Sequence, residues 1–274
     1  MTDPKTIGDL IERSGHEFHF KVVEHLRNKK NKSGEPIWRV LISPYYLDFA
    51  TNKSREVDII AEKDFRIIDN QQKKTILIRF FIECKRIEKD TVLWFDNVNE
   101  HGIEERIYGD TGLKLPDSIF HHYFDTIRDK KKYKGAKLFY SGKTERENEP
   151  IYKGLNQCLN SLVYYKRNFP SDYSAFSFRR ERDIPVFKLI NYPIIMLDGF
   201  DKLYRADDRS NIKENFQLEV NYAYERRASG SLPTTLNVGV SELFIIDVIK
   251  FDDFDKFLEK IDKEIKNLFK EKFD

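Results

Sequence analysis

The sequence predicts an α/β fold in which a mixed central β-sheet is flanked by helices. Three observations carry this reading. Several stretches alternate apolar and polar residues, as a half-buried strand does; FQLEVNYAYER sets Phe216, Leu218, Val220, Tyr222 and Tyr224 against mostly polar neighbours. The near-continuous apolar run PVFKLINYPIIML suits a central strand buried on both faces. Amphipathic helical stretches separate these strands without a strict strand-helix-strand repeat, so the sheet is expected to be mixed rather than purely parallel.

In chain order, a first helix spans about Thr6 to Arg27, with Ile7, Leu10, Ile11, Phe18, Val22 and Leu26 along one side, and the polar run NKKNKSGEP stops it. Two strands follow, Trp38 to Tyr46 and Glu56 to Ile68, separated by the turn-like TNKSR. A third strand, Thr75 to Arg86, comes after the polar DNQQKK. The segment from about 88 to 150 is less regular, with the aromatic patch VLWF, a short helix around IFHHYFDTI and the basic run RDKKKYKGAK, and is expected to be an insertion. Ile151 to Lys166 should be helical, with Leu155, Leu159, Leu162 and Val163 on its apolar side. ELFIIDVI supplies a last strand, and a closing helix carries Phe254, Phe257, Leu258, Ile261, Ile265 and Leu268. Without an internal repeat or a low-complexity linker, residues 1–274 read as a single domain.

A hydrophobic fraction of 40%, including 22 Phe and 14 Tyr, can fill a substantial core. With 48 basic and 46 acidic residues the net charge is only +2, so any polyanion must be met by local patches. The runs HLRNKKNK, RDKKKYKGAK, FSFRRER and YERRASG offer such patches, with aromatics nearby to stack on bases. Two cysteines, Cys84 and Cys158, build neither a disulfide framework nor a metal finger. No apolar run reaches the roughly 20 residues of a membrane span, and MTDPKTIGDLIERSG lacks the apolar core of a signal peptide. A cytoplasmic protein with no membrane partner is therefore expected.

The chemistry concentrates in the third strand. In TILIRFFIECKR, Ile76, Ile78, Phe80, Ile82 and Cys84 share one face, and Glu83 and Lys85 share the other. A hairpin centred on Gln71 and Gln72 pairs Asp58 with Lys85 and leaves Glu83 two positions away on the same face. Two carboxylates projecting together repel unless a cation lies between them, and a hard divalent ion accepts such oxygens. A lysine beside them orients water or stabilises charge on a phosphoryl oxygen, so acid, acid and base together suit phosphodiester hydrolysis. Cys84, on the apolar face, reads as core rather than nucleophile. Glu56 shares the Asp58 face, as a supporting acid or a solvated strand residue. His16, His19, His25, His121 and His122 show no zinc-like spacing and read as surface or core-edge residues.

A helical glutamate in GHEF, an aspartate in EVDIIA and ECK closing an apolar strand, in helix-strand-strand order, resemble the PD-(D/E)XK, or restriction-endonuclease-like, nucleases over about residues 7 to 87. The resemblance implies a restriction-endonuclease-like core and a catalytic set of Glu17, Asp58, Glu83 and Lys85. It implies Mg²⁺ or Mn²⁺ held by Asp58, Glu83 and the main-chain carbonyl of Cys84, with Glu17 acting directly or through water. Lys85 would position or activate the attacking water. Glu17 also falls at the margin of the helix's apolar stripe, from which it can reach the sheet edge. Two features depart from the family pattern. Val57 stands where proline is usual, and helical Gln157 is followed four residues on by Ser161 rather than tyrosine, with Tyr164 seven residues on. Gln157 is then an accessory substrate-binding or site-shaping residue, or a plain surface amide. The activity implied is a metal-dependent endonuclease acting on DNA, in defence against foreign DNA or in DNA processing, as a homodimer where both strands are cut. An RNA-cleaving nuclease, a catalytically silent nucleic-acid-binding module and a partner-docking module of the same fold are the rival expectations.

Overall fold

The computed structural model of the chain describes residues 7–11, 16–48, 51–69, 71–114, 117–125, 135–142, 149–168, 186–227 and 237–269. Helix α1 (His16–Arg27) is followed by strands β1 (Arg39–Ile42), β2 (Tyr45–Asp48), β3 (Lys53–Glu56), β4 (Ile59–Asp69), β5 (Gln72–Arg86) and β6 (Thr91–Asp96). Then come helix α2 (Glu100–Thr111), strand β7 (Gly135–Tyr140), helix α3 (Pro150–Asn168), strands β8 (Val186–Asp198), β9 (Leu203–Arg205), β10 (Phe216–Arg227) and β11 (Asn237–Lys250), and helix α4 (Phe254–Leu268). The main sheet runs β1-β4-β5-β8-β11-β10-β7-β6-β9, and β2 and β3 pair separately. β5, β8 and β11 are parallel neighbours at its centre, while β4 runs antiparallel to β5 and β10 antiparallel to β11. The protein is thus α/β with a large mixed sheet flanked by helices.

Strand alternation sorts the core into two layers. Ile78, Phe80 and Ile82 of β5 pack with Tyr192, Ile194 and Met196 of β8 beneath α1 and α4. On the other face Ile60, Phe81, Ile195, Ile246 and Val248 pack against Leu155, Leu159 and Leu162 of α3. Each such fully buried aliphatic or aromatic side chain stabilises the fold by about 1.5 to 3 kcal/mol. β8, apolar on both sides, is the central strand that its sequence indicated. No helix among the described residues is long and apolar enough to cross a membrane.

Several boundaries differ from the sequence reading. Ile7, Leu10 and Ile11 do not join the stripe that α1 buries through Val22, Val23 and Leu26; they are exposed. Periodicity gives a helix an apolar side, but only the docked length covers it. The strands expected over Trp38 to Tyr46 and Glu56 to Ile68 each break in two, because Ser43 takes a left-handed φ of 49° and the two-stranded ribbon bends there. The stretch from about 88 to 150 supplies β6 and β7 to the main sheet, and α2 packs on β8 and β11. The basic run RDKKKYKGAK falls mostly, and FSFRRER entirely, outside the described residues.

Glu62 and Arg79 are cross-strand partners with no exposure, joined by Arg79 Nε donating to Glu62 Oε1 at 2.8 Å. Arg79→Met leaves the buried Glu62 carboxylate to Arg39 alone and should cost about 3 kcal/mol, whereas Arg79→Met with Glu62→Leu should recover most of that loss, read from urea unfolding. Gly199, at φ 93°, closes β8 where a Cβ would meet Ile87 O at 2.5 Å. Gly199→Ala should therefore destabilise by about 2 kcal/mol, and an unchanged unfolding midpoint would count against the tight turn.

Candidate functional site

The β4–β5 hairpin decides which side chains meet. Asp69 pairs with Gln72, so the turn holds two residues, and Gln71 takes the positive φ of 62° that such a turn requires. The sequence reading centred the turn one residue later and paired Asp58 with Lys85. The observed ladder runs to Ile59 opposite Ile82, which sets Asp58 opposite Glu83. A shift of two positions along one strand preserves the strand's period, so all three charged residues still share a face.

At Asp58 the ribbon leaves the sheet. Ser43 N donates to Asp58 O at 2.8 Å and Val57 N to Pro44 O at 3.2 Å, after which β2 and β3 fold over against α3. With the main-chain ladder ended, Cys84 N donates to the Asp58 carboxylate (Oδ2, 2.7 Å). In return Asp58 N donates to Glu83 Oε1 at 3.2 Å. Lys85 Nζ lies 2.6 Å from Glu83 Oε2 and 3.6 Å from Asp58 Oδ2, so one ammonium reaches both carboxylates. α3 closes over this cluster through Gly154, where a Cβ would stand 3.2 Å from Lys85 Cγ.

Glu83 has no exposure, and burial pushes its carboxyl up to about 8, with Lys85 opposing the rise and Asp58 adding to it. Burial alone pulls Lys85 down, but Glu83 and Asp58 outweigh it and hold the ammonium above its ordinary range. The Tyr46 hydroxyl is buried near by without a hydrogen-bond partner among the described residues, and burial and the Glu83 charge raise it far above the usual phenol range. Once Glu83 gives up its proton, two carboxylates stand against one ammonium and the cluster is short of positive charge. Its donor set of carboxylate oxygens beside a strand-end carbonyl suits a hard divalent ion.

Of the residues that sequence singled out, Asp58, Glu83 and Lys85 converge, and Cys84 joins through its backbone. The Cys84 side chain packs on the α1 face, and burial raises its thiol well above the normal range, in keeping with a core residue. Gln157 is half-buried on α3, its Nε2 3.5 Å from Glu56 O, at the long limit of a hydrogen bond. Glu17 is exposed on α1 and makes no contact with the triad. It lines a cleft of about 720 Å³ shared with Cys84, Arg86 and Asp198, at the carboxyl ends of the parallel strands β5 and β8. The α1 residue that does reach Asp58 is His19. It is buried, its Nε2 has no partner among the described residues, and burial lowers its pKa while the charge and backbone of Asp58 raise it. Sequence periodicity placed His19 on a helix but carried no signal that its ring faces Asp58.

The reading of His121 and His122 as surface or core-edge residues is corrected: both are buried, and they cluster with Glu264, 142 residues away from His122. The dipeptide had no ligand spacing because its partner lies on a distant helix. His25 and Lys29, in the basic run HLRNKKNK, are paired with Asp255. Comparison with family models, curated proteins and solved structures gives no match.

The Glu83 environment sets a pH dependence. Its folded value of about 8 stands above the ordinary 4.5, so its favourable contribution is complete below pH 4.5 and is lost as pH rises through about 8. In EDTA, wild-type stability should fall relative to Glu83→Gln across that window. Urea midpoints that differ by a constant amount at every pH would refute this account.

Proposed function

We propose that the chain is a metal-dependent nuclease with a restriction-endonuclease-like core, an endonuclease that hydrolyses DNA phosphodiester bonds with Mg²⁺ or Mn²⁺. The observation that carries the proposal is the convergence of Asp58, Glu83 and Lys85 on one face at the end of β5, with one ammonium reaching both carboxylates. In this reading Asp58, Glu83 and the Cys84 carbonyl hold the ion, which when bound supplies Lewis-acid polarisation of a phosphoryl oxygen. Glu17, across the strand end, acts through water.

Lys85 is fixed by Glu83 and keeps its proton, because its two acid neighbours favour the ammonium. It therefore serves as a donor that orients the attacking water and offsets charge on the phosphoryl oxygens, rather than as a proton acceptor. Cys84 N holds the Asp58 carboxylate in place, and the buried His19 lies beside Asp58 on the α1 side. Gln157, reaching the Glu56 carbonyl, shapes the corner from which Asp58 projects. The adjoining cleft carries Lys21, Arg86, Lys213 and Lys250 among four acids; Arg86 faces Asp198 and Lys250 faces Asp252, so Lys21 and Lys213 are the bases outside these pairs that it offers to a phosphate backbone.

The test is incubation with supercoiled plasmid, linear duplex, single-stranded DNA and RNA, in Mg²⁺, Mn²⁺ or EDTA. Cleavage of DNA should require the ion and fall about 100-fold or more in Asp58→Ala, Glu83→Ala and Lys85→Ala, each with an unchanged circular-dichroism spectrum. His19→Ala should lose about tenfold, as a neighbour of Asp58 rather than a reacting group. Undiminished cutting by folded Asp58→Ala protein would sink the assignment, and cleavage confined to RNA would transfer it to a ribonuclease.

A further inference from the structure

A second cluster lies on the α1/α4 side of the sheet, where a short helical turn (His122–Phe124), β8, β11 and α4 meet. His121, His122 and Glu264 present ligand atoms that all lie within 4.8 Å of one another, and all three are buried. His122 Nδ1 is 2.5 Å from Glu264 Oε2, and His121 Nε2 is 3.4 Å from Glu264 Oε1. We infer that these three residues form a transition-metal site of the zinc class, separate from the acidic cluster at Asp58.

Three observations support an ion here. First, the surroundings have the form of a metal site's outer shell. His122 Nε2 meets Asp247 Oδ2 at 2.9 Å, the carboxylate-histidine arrangement that orients a ligating imidazole. Tyr192 donates its hydroxyl to Glu264 Oε1 at 2.7 Å, which fixes the carboxylate. Second, charge is out of balance. Asp247 and Glu264 are both buried, and the two carboxylates bracket the single His122 ring, 2.9 Å from Nε2 and 2.5 Å from Nδ1. The nearby Lys260 does not compensate, being paired with Asp125 at 2.5 Å. Two neutral imidazoles, two carboxylates and one divalent cation sum to zero. Third, an open cavity of about 410 Å³ touches His122 and Glu264, giving a way in and room for a solvent ligand at the fourth position.

The proton count is simple. Binding releases the His122 Nδ1 proton to solvent and moves the His121 proton from Nε2 to Nδ1. The latter gives up the 3.2 Å contact from Tyr123 N, one long hydrogen bond against three metal-ligand bonds. Imidazole with a single carboxylate favours zinc, cobalt or nickel over magnesium, so the two sites should differ in the metal they select.

The decisive experiment uses the Asp58→Asn, Glu83→Gln double variant, in which the acidic cluster no longer binds cations. The folded variant should take up one equivalent of Co²⁺ with visible d–d absorption, and Zn²⁺ should displace it stoichiometrically. In the same background His121→Gln should weaken Zn²⁺ about 100-fold and Asp247→Asn about 10-fold. No d–d absorption and no zinc uptake by the folded double variant would overturn the site and leave the four residues an ionic clamp. Equal zinc affinity in His121→Gln would overturn it too. If that variant fails to fold, the Co²⁺ spectrum of the double variant alone decides.

Discussion

The acidic site depends on a reciprocal lock between two strands. Where the β4–β5 ladder ends at Ile59, the amide of Cys84 passes to the side chain of Asp58, and the amide of Asp58 to the side chain of Glu83. Each carboxylate thereby satisfies the other strand's backbone at the point where ordinary pairing fails. An unpaired buried amide costs as much as a lost hydrogen bond, so the acids also serve the fold. This fixes both carboxylates without any ion, and it explains why the bend at Ser43 and Asp58 is tolerated. A straight ribbon would have paired Cys84 through the main chain and left Asp58 without its anchor.

Comparison along the same face shows what is particular to the strand end. Four positions inward, Glu62 meets Arg79 across the same two strands, and Arg39 bridges Glu62 at 3.2 Å and Asp64 at 3.1 Å, two acids to two bases. There the acids and bases are matched, as a structural pair must be in a dry interior. At Asp58 and Glu83 the match fails by one charge once Glu83 ionises. The same β-ladder thus carries a balanced ion pair and an unbalanced one, and only the unbalanced one opens toward the end of the sheet. That contrast, more than the presence of charged residues, supports the proposed site at Asp58 over a second structural ion pair.

Much of this was legible in the sequence, and the limits have physical causes. Alternation in TILIRFFIECKR put Glu83 and Lys85 on one face because the period of a strand is insensitive to register errors of two. The same insensitivity hid the true partner of Asp58, since only the two-residue turn distinguishes Glu83 from Lys85 as its neighbour. The bend at Ser43 was illegible because a left-handed serine has no compositional mark. His19 was missed because helical phase tells which side of a helix faces the core, not which strand end lies beneath it. His121, His122 and Glu264 were beyond reach for a simpler reason: nothing local ties residues on the α2–β7 connection to one on the last helix. Long-range side-chain clusters with no spacing rule are invisible until the sheet assembles them.

The two polar clusters also divide the labour of the sheet. The acidic site sits at the end of β5, its carboxylates toward α3, with a cleft across the strand end that is open and mixed in charge. The histidine site sits on the opposite face, where β8 and β11 run parallel and α4 and a turn preceding β7 cover them. The first is held by backbone amides, so its geometry survives the loss of any bound group. The second has few such tethers beyond His122 N to Glu264 Oε2, and its side chains hold chiefly one another. A site anchored to the ladder suits a group that exchanges at each turnover, because the protein need not reorganise around it. A site such as the proposed one, whose ligands and their supports tie a turn, two strands and a helix together, suits a group that stays. The arrangement of the tethers therefore separates the two places: backbone amides hold the acidic cluster, and its own side chains hold the histidine cluster.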